Sequence, residues 1–142
     1  ARLETALGAP SERDRAMGAR AAALLVLRDV PGSRKLLEGA LSDPARDVRA
    51  AAIEALAEVE AQMRSPEDLA RALWGAEQDA ARRIVAARAL LLVAAGRRAE
   101  VEKALAPGAK GGPPMARLTA EIPLALLRHD ADGPAFLASL VP

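Results

Sequence analysis

Side chains able to do covalent or metal chemistry are scarce in this chain. Its 142 residues include one histidine, His129, and no cysteine. Thiolate nucleophiles, disulfides and cysteine-ligated zinc are therefore excluded, and His129 stands without the partners that a triad or a metal site needs. Asp130-Ala-Asp-Gly133 has the opening spacing of a calcium loop. The further oxygen ligands and the closing glutamate are missing, so the stretch reads as cap and turn chemistry for a last helix. The segment PGAKGGPP, residues 107–114, lacks the Gly-Lys-Ser/Thr order that cradles a nucleotide phosphate. Its glycines and prolines predict a flexible or extended insertion between helices. These residues point to no catalytic site, no metal and no cofactor.

The plentiful functional group is guanidinium, since lysine occurs only at Lys35, Lys103 and Lys110. The clusters Arg13/Arg15, Arg82-Arg83 and Arg97-Arg98 have the chemistry for phosphate contacts. Acids are interleaved throughout, however, and the formal net charge is +1, so no overall field recruits nucleic acid. Trp74 and Phe136 are the whole aromatic complement, which leaves no platform on which bases could stack. Binding of a phosphate backbone is thus the second reading of these arginines. A structural role comes first. Arg20, Arg49 and Arg83 each open an apolar helical stretch: RAAALLVL, RAAAIEAL and RIVAARAL. Six residues before each stands an acid, namely Asp14, Asp43 and Glu77. Each arginine pairing with an acid, in its own turn or the neighbouring repeat, would build a ladder along a stack of helices.

The elements that hold such a ladder follow from composition and period. Alanine, leucine, arginine and glutamate dominate, all strong helix formers, while Val and Ile are sparse. This predicts an all-α chain. Apolar pairs four residues apart recur as Leu3/Leu7, Leu37/Leu41, Leu69/Leu73, Val101/Leu105 and Phe136/Leu140. Their first members are spaced by 34, 32, 32 and 35 residues. A turn and then a longer apolar helix follow each of the first four pairs. The turns are GAPSERD (8–14), SDPARD (42–47), GAEQD (75–79) and APGAKGGPP (106–114), with further breaks at Gly32-Ser33 and Gly96. Ser65-Pro-Glu-Asp68 has the cap, the first-turn proline and the acid of a helix start.

The stretch LSDPARDVRAAAIEAL resembles the HEAT repeat, in the short form found in bacterial proteins of the phycobilisome-lyase type. The resemblance is clearest at Asp43 and Arg49, then at Asp14 and Arg20, and weaker at Glu77 and Arg83. It implies an α-solenoid: a right-handed α-α superhelix of about four helix pairs. The expected repeats are 1–30, 33–60, 65–95 and 98–128, with 132–142 as a capping helix, all in one domain 1–142. The fourth repeat departs from the pattern, because no acid precedes Arg117 by six residues and Pro123 interrupts its second helix.

With Val48, Ala52, Ala55, Leu56 and Val59 turned inward, the outward row of the second repeat is Ala50, Glu54, Ala57 and Glu58. Alignment on the opening arginines continues it as Ala21, Leu25, Arg28 and Asp29 in the first repeat. In the third it runs Ile84, Arg88, Leu91 and Leu92. This row would line the concave side. It is apolar for a solvent face, which suits either a groove for a partner helix or extended segment or a tightly curved stack that buries some of these residues itself. Trp74, at the end of a short helix, is expected to plug the following turn or to anchor a partner. The expected function is a non-catalytic scaffold binding another protein or peptide through Leu25, Arg28, Glu54, Glu58, Ile84, Arg88, Leu91 and Trp74. A lyase-like enzyme is the least favoured class. No stretch approaches the ~20 apolar residues of a membrane span, and a cytoplasmic location is expected. The chain starts at Ala rather than Met, so it is read as processed or as part of a longer protein.

Overall fold

The computed structural model describes residues 2–74 and 79–111. Within them the chain is helical throughout, with no strand. Short and long helices alternate: α1 (Arg2–Leu7), α2 (Glu12–Val26), α3 (Ser33–Gly39), α4 (Arg46–Met63), α5 (Pro66–Trp74) and α6 (Ala80–Gly111), with a 3-10 turn (Ala40–Ser42) after α3. The long helices pack in series, α2 on α4 and α4 on α6, while α1 lies against α2, α3 bridges α2 and α4, and α5 lies against α6.

Local chemistry sets the boundaries. Ser11 caps α2 by accepting from the backbone N–H of Asp14, and Ser65 caps α5 by accepting from that of Asp68. Asp79 does the same for Arg82 at the start of α6. Each cap satisfies an amide that the first helical turn leaves without a partner. Past α2, Asp29 and Gly32 adopt positive φ, 53° and 80°, to reverse the chain. A glycine at 32 meets that conformation at no steric cost.

Two boundaries differ from the sequence expectation. The chain breaks helical geometry at Arg97 (φ −139°, ψ 46°) rather than at Gly96, and α6 then resumes. It continues through Pro107 to Gly111, where the Gly/Pro-rich segment predicts an insertion from 106 onward. Proline's fixed φ is itself helical, so Pro107 forfeits one hydrogen bond. Buried Val101, Ala104 and Leu105 anchor the preceding turn strongly enough for the helix to go on.

The core runs continuously along the long helices and is built largely of alanine. Small residues let the helix axes approach closely, and Leu37, Leu56, Leu69, Leu73, Leu90 and Leu105 fill the space left over. Closest approach is visible at Gly18, where a Cβ would meet the Ala6 Cβ at 3.1 Å, so α1 rests directly on the backbone of α2. The middle long helix, α4, is covered nearly all round. Ile53 and Ala57 are buried together with the inward row expected from the sequence, and Ala57, expected on the outward row, has no exposed surface. Both neighbours, α2 and α6, take a side of it.

Candidate functional site

One arginine–acid rung joins neighbouring helix pairs among the described residues, and it uses a different arginine from the expected one. Arg15 grips Asp43 with two contacts, Nε to Oδ2 at 2.8 Å and Nη2 to Oδ1 at 3.1 Å. Its Nη1 donates to the carbonyls of Ala9 and Pro10, six and five residues back. Arg49 makes the same pair of backbone bonds at the same offsets, to Asp43 and Pro44. Arg15 and Arg49 are therefore register mates, 34 residues apart, and Arg83 lies a further 34 along. The alignment of Arg20 with Arg49 is displaced by five residues. Arg20 instead occupies the register of Glu54 and Arg88, again at intervals of 34, and is exposed on the surface. Asp14 is exposed in the first turn of α2, where the amide capped by Ser11 is its own.

Asp43 is thus shared between two helix pairs. Its Oδ1 also accepts from the Ala45 N–H at 2.8 Å, which shapes the entry to α4. The hydrogen bond from Arg15 holds its carboxyl below the usual carboxylate range. The Ala45 amide and the charges of Arg15 and Arg49 add to that, against the opposing pull of desolvation. Arg15 is raised correspondingly, first by the same hydrogen bond. Both side chains are largely covered, with 14% and 11% exposure. A planar guanidinium matches a carboxylate with two parallel bonds, which is why arginine fits this position and lysine would not.

On the outward face of the long helices, Glu54 of α4 and Arg88 of α6 approach to 3.5 Å. Arg13 and Arg20 of α2 face Asp47 and Glu54 of α4 across an open groove of about 600 Å³. Its floor is small, formed by Ala16, Ala50 and Ala51, and Ser11 and Glu12 close one end. With the register corrected, Leu24, Glu58 and Leu92 form the next row. All three are exposed, Leu24 at 63% and Leu92 at 42%. Leu25 is half-buried and lines a different, apolar groove against Thr5, Ala6 and Met17 at the α1 side of α2. Arg28 lies past α2 in the turn, while Ile84 and Leu91 are half-buried on α6. Of the expected row, Glu54 and Arg88 are brought into contact. Trp74 closes α5. The expectation for its ring lies outside the described residues, as do Glu77 and the whole stretch from residue 112, including His129 and Asp130–Gly133.

Several arginines of the clusters lie against acids. Arg82 faces Glu38, Arg97 binds Glu100 and Arg98 binds Glu102. A further set of charges was missed altogether. Glu60, deeply buried on α4, accepts from Arg34 of α3 at 2.7 Å and from Arg64 at 3.1 Å. The i to i+4 spacing of Glu60 and Arg64 was legible in the sequence, whereas Arg34 comes from 26 residues away.

Compared with known proteins, the chain matches no family model, no curated protein and no solved structure at a significant level. No helix among the described residues is long and apolar enough to cross a membrane.

Proposed function

We propose that this chain is a non-catalytic protein-interaction module of HEAT-like architecture, which seats a segment of another protein in the groove between α2 and α4. The 34-residue register of Arg15, Arg49 and Arg83, with its repeated backbone bonds, supports a solenoid built from equivalent helix pairs. The observation that carries the binding reading is the groove itself. Its alanine floor allows close approach of a partner backbone, and its rims carry both signs of charge, Arg13 and Arg20 against Glu12, Asp47 and Glu54. Such rims set the direction of a bound segment more than its affinity. Leu24 and Leu92, beside them on the same face, supply apolar anchors. Exposed apolar residues on an otherwise charged face are the usual mark of a contact surface.

Peptide display against the folded chain tests this, with Ala50→Arg as the comparison variant because it fills the floor. Peptides enriched on the wild type should be lost on Ala50→Arg and on Leu24→Glu, with circular dichroism unchanged. Enrichment of the same peptides by all three proteins would refute the groove. Binding that falls steeply with added salt and disappears after nuclease treatment would instead favour phosphate recognition by the arginines.

A further inference from the structure

On the side of the short helices, sharing no residue with the α2–α4 groove, lies a second concavity of about 130 Å³. Leu41, Leu56, Leu69 and Val85 line it, contributed by the 3-10 turn, α4, α5 and α6; Leu41 is half-buried, Leu56 and Val85 show only an edge, and Leu69 lies fully buried behind them. Its charged rim holds Arg34, Arg64 and Arg82 with Glu38 and Glu60. Three cations thus face two anions, an excess of one positive charge beside a hollow whose surface is part polar and part apolar. The cations are unequally committed. Arg34 and Arg64 clamp Glu60 at hydrogen-bond distance, 2.7 and 3.1 Å. Arg82 stands 3.6 Å from Glu38, and Arg34 stands 3.7 Å from the same carboxylate. Those separations are ion pairs and not hydrogen bonds. The Arg82 guanidinium, half exposed at the rim, therefore keeps donors that an incoming oxyanion can use. A cavity of roughly 150 Å³ lined by aliphatic residues is large enough to take a molecule of benzene's size, which sets the scale of the body this hollow can accept.

We propose that this cavity binds an aliphatic carboxylate, with a short branched alkyl body against Leu41 and the exposed edges of Leu56 and Val85 and the carboxylate on Arg82. The ligand's charge answers the surplus cation, while Glu38 turns from Arg82 towards Arg34. Both a free short-chain acid and the carboxyl terminus of a peptide ending in leucine present this chemistry. Phosphate or sulfate alone has no alkyl body to fill the hollow, and an alkane or amide has no charge for Arg82.

The test is a two-dimensional NMR titration of the full chain with 4-methylpentanoate, 4-methylpentanamide, and a Gly-Gly-Leu peptide with a free or amidated carboxyl terminus. Shifts should gather on Leu41, Leu56, Leu69 and Val85, and each acid should bind about ten-fold or more tightly than its amide. Arg82→Gln should lower acid affinity by a similar factor, as should Ala72→Leu, which narrows the same cavity. Arg71→Gln, well exposed on α5, should change nothing. Tighter binding of the free acid would assign a small molecule, and tighter binding of the peptide a protein terminus. Equal binding of acid and amide, no binding of either acid, or full affinity in a folded Arg82→Gln chain would overturn the proposal.

Discussion

Helices α2 and α4 carry the same register, yet they live in different surroundings. Met17, Ala21 and Leu25 of α2 stand 34 residues before Ala51, Ala55 and Val59 of α4. The α4 residues are buried at 1%, 3% and 0% exposure, whereas Met17 is 56% exposed, Ala21 exposed and Leu25 half-buried. The residue types differ little between the rows. What differs is that, among the described residues, α4 packs against two long helices and α2 against one. Burial of equivalent positions therefore follows from how many neighbouring helices cover them.

The sharpest way to break this comparison is to place a charge at one register position in both helices. Val59→Asp buries an unpaired carboxylate and should cost about 4 kcal/mol or unfold the chain outright, measured by urea denaturation. Leu25→Asp should cost only about 1–2 kcal/mol, because its charge reaches water. Equal losses would mean that the two faces are equally covered. Next in size is Leu56→Ala, which should cost about 2–5 kcal/mol through the cavity it leaves.

The Arg15–Asp43 rung gives the next effect. Arg15→Gln leaves Asp43 without its two-point partner and should lower Tm by a few degrees, more than Arg20→Gln does. A double-mutant cycle with Asp43→Asn should recover a coupling between 15 and 43 and none between 14 and 20. The same contact makes stability depend on acidity. The folded Asp43 carboxyl titrates below its unfolded value of about 4, so its contribution is complete above that value. It is lost as pH falls through the lower, folded value. Thermal melts from pH 6 downward should therefore show a shallower acid slope in Asp43→Asn than in wild type. Smallest of all, Leu24→Ala should alter stability by no more than about 0.5 kcal/mol, since its surroundings are mostly water. A larger change would show that the α2 surface is covered after all.

Of the groove between α2 and α4, only Ala50 and Glu54 stand in the expected outward row. The arginine-acid pairing was visible as a pattern because both residue types recur near turns. The choice of Arg20 over Arg15 followed from matching the apolar run RAAALLVL with RAAAIEAL. Alanine runs are a poor ruler, since shifting one by a few residues matches almost as many positions. The uniform 34-residue spacing of Arg15, Arg49 and Arg83 was the better signal. The resulting displacement put Leu25 in the outward row in place of Arg20, and Asp29 in place of Leu24. The Arg34–Glu60–Arg64 clamp and the cavity beside it were not legible, because they join side chains from α3 and α4 that no local spacing connects.

By itself the sequence determined that the described chain is helical, where most helices begin, and that short and long helices alternate. Those are consequences of propensity, caps and the four-residue spacing of apolar pairs, which act within a turn or two of chain. Tertiary structure alone decided that Ala57 is buried while Leu24 is exposed, that Asp43 answers Arg15, and that α6 runs on past Pro107. Each depends on what a neighbouring helix covers or anchors. Small alanine faces permit several packings locally, and only the assembled stack selects one.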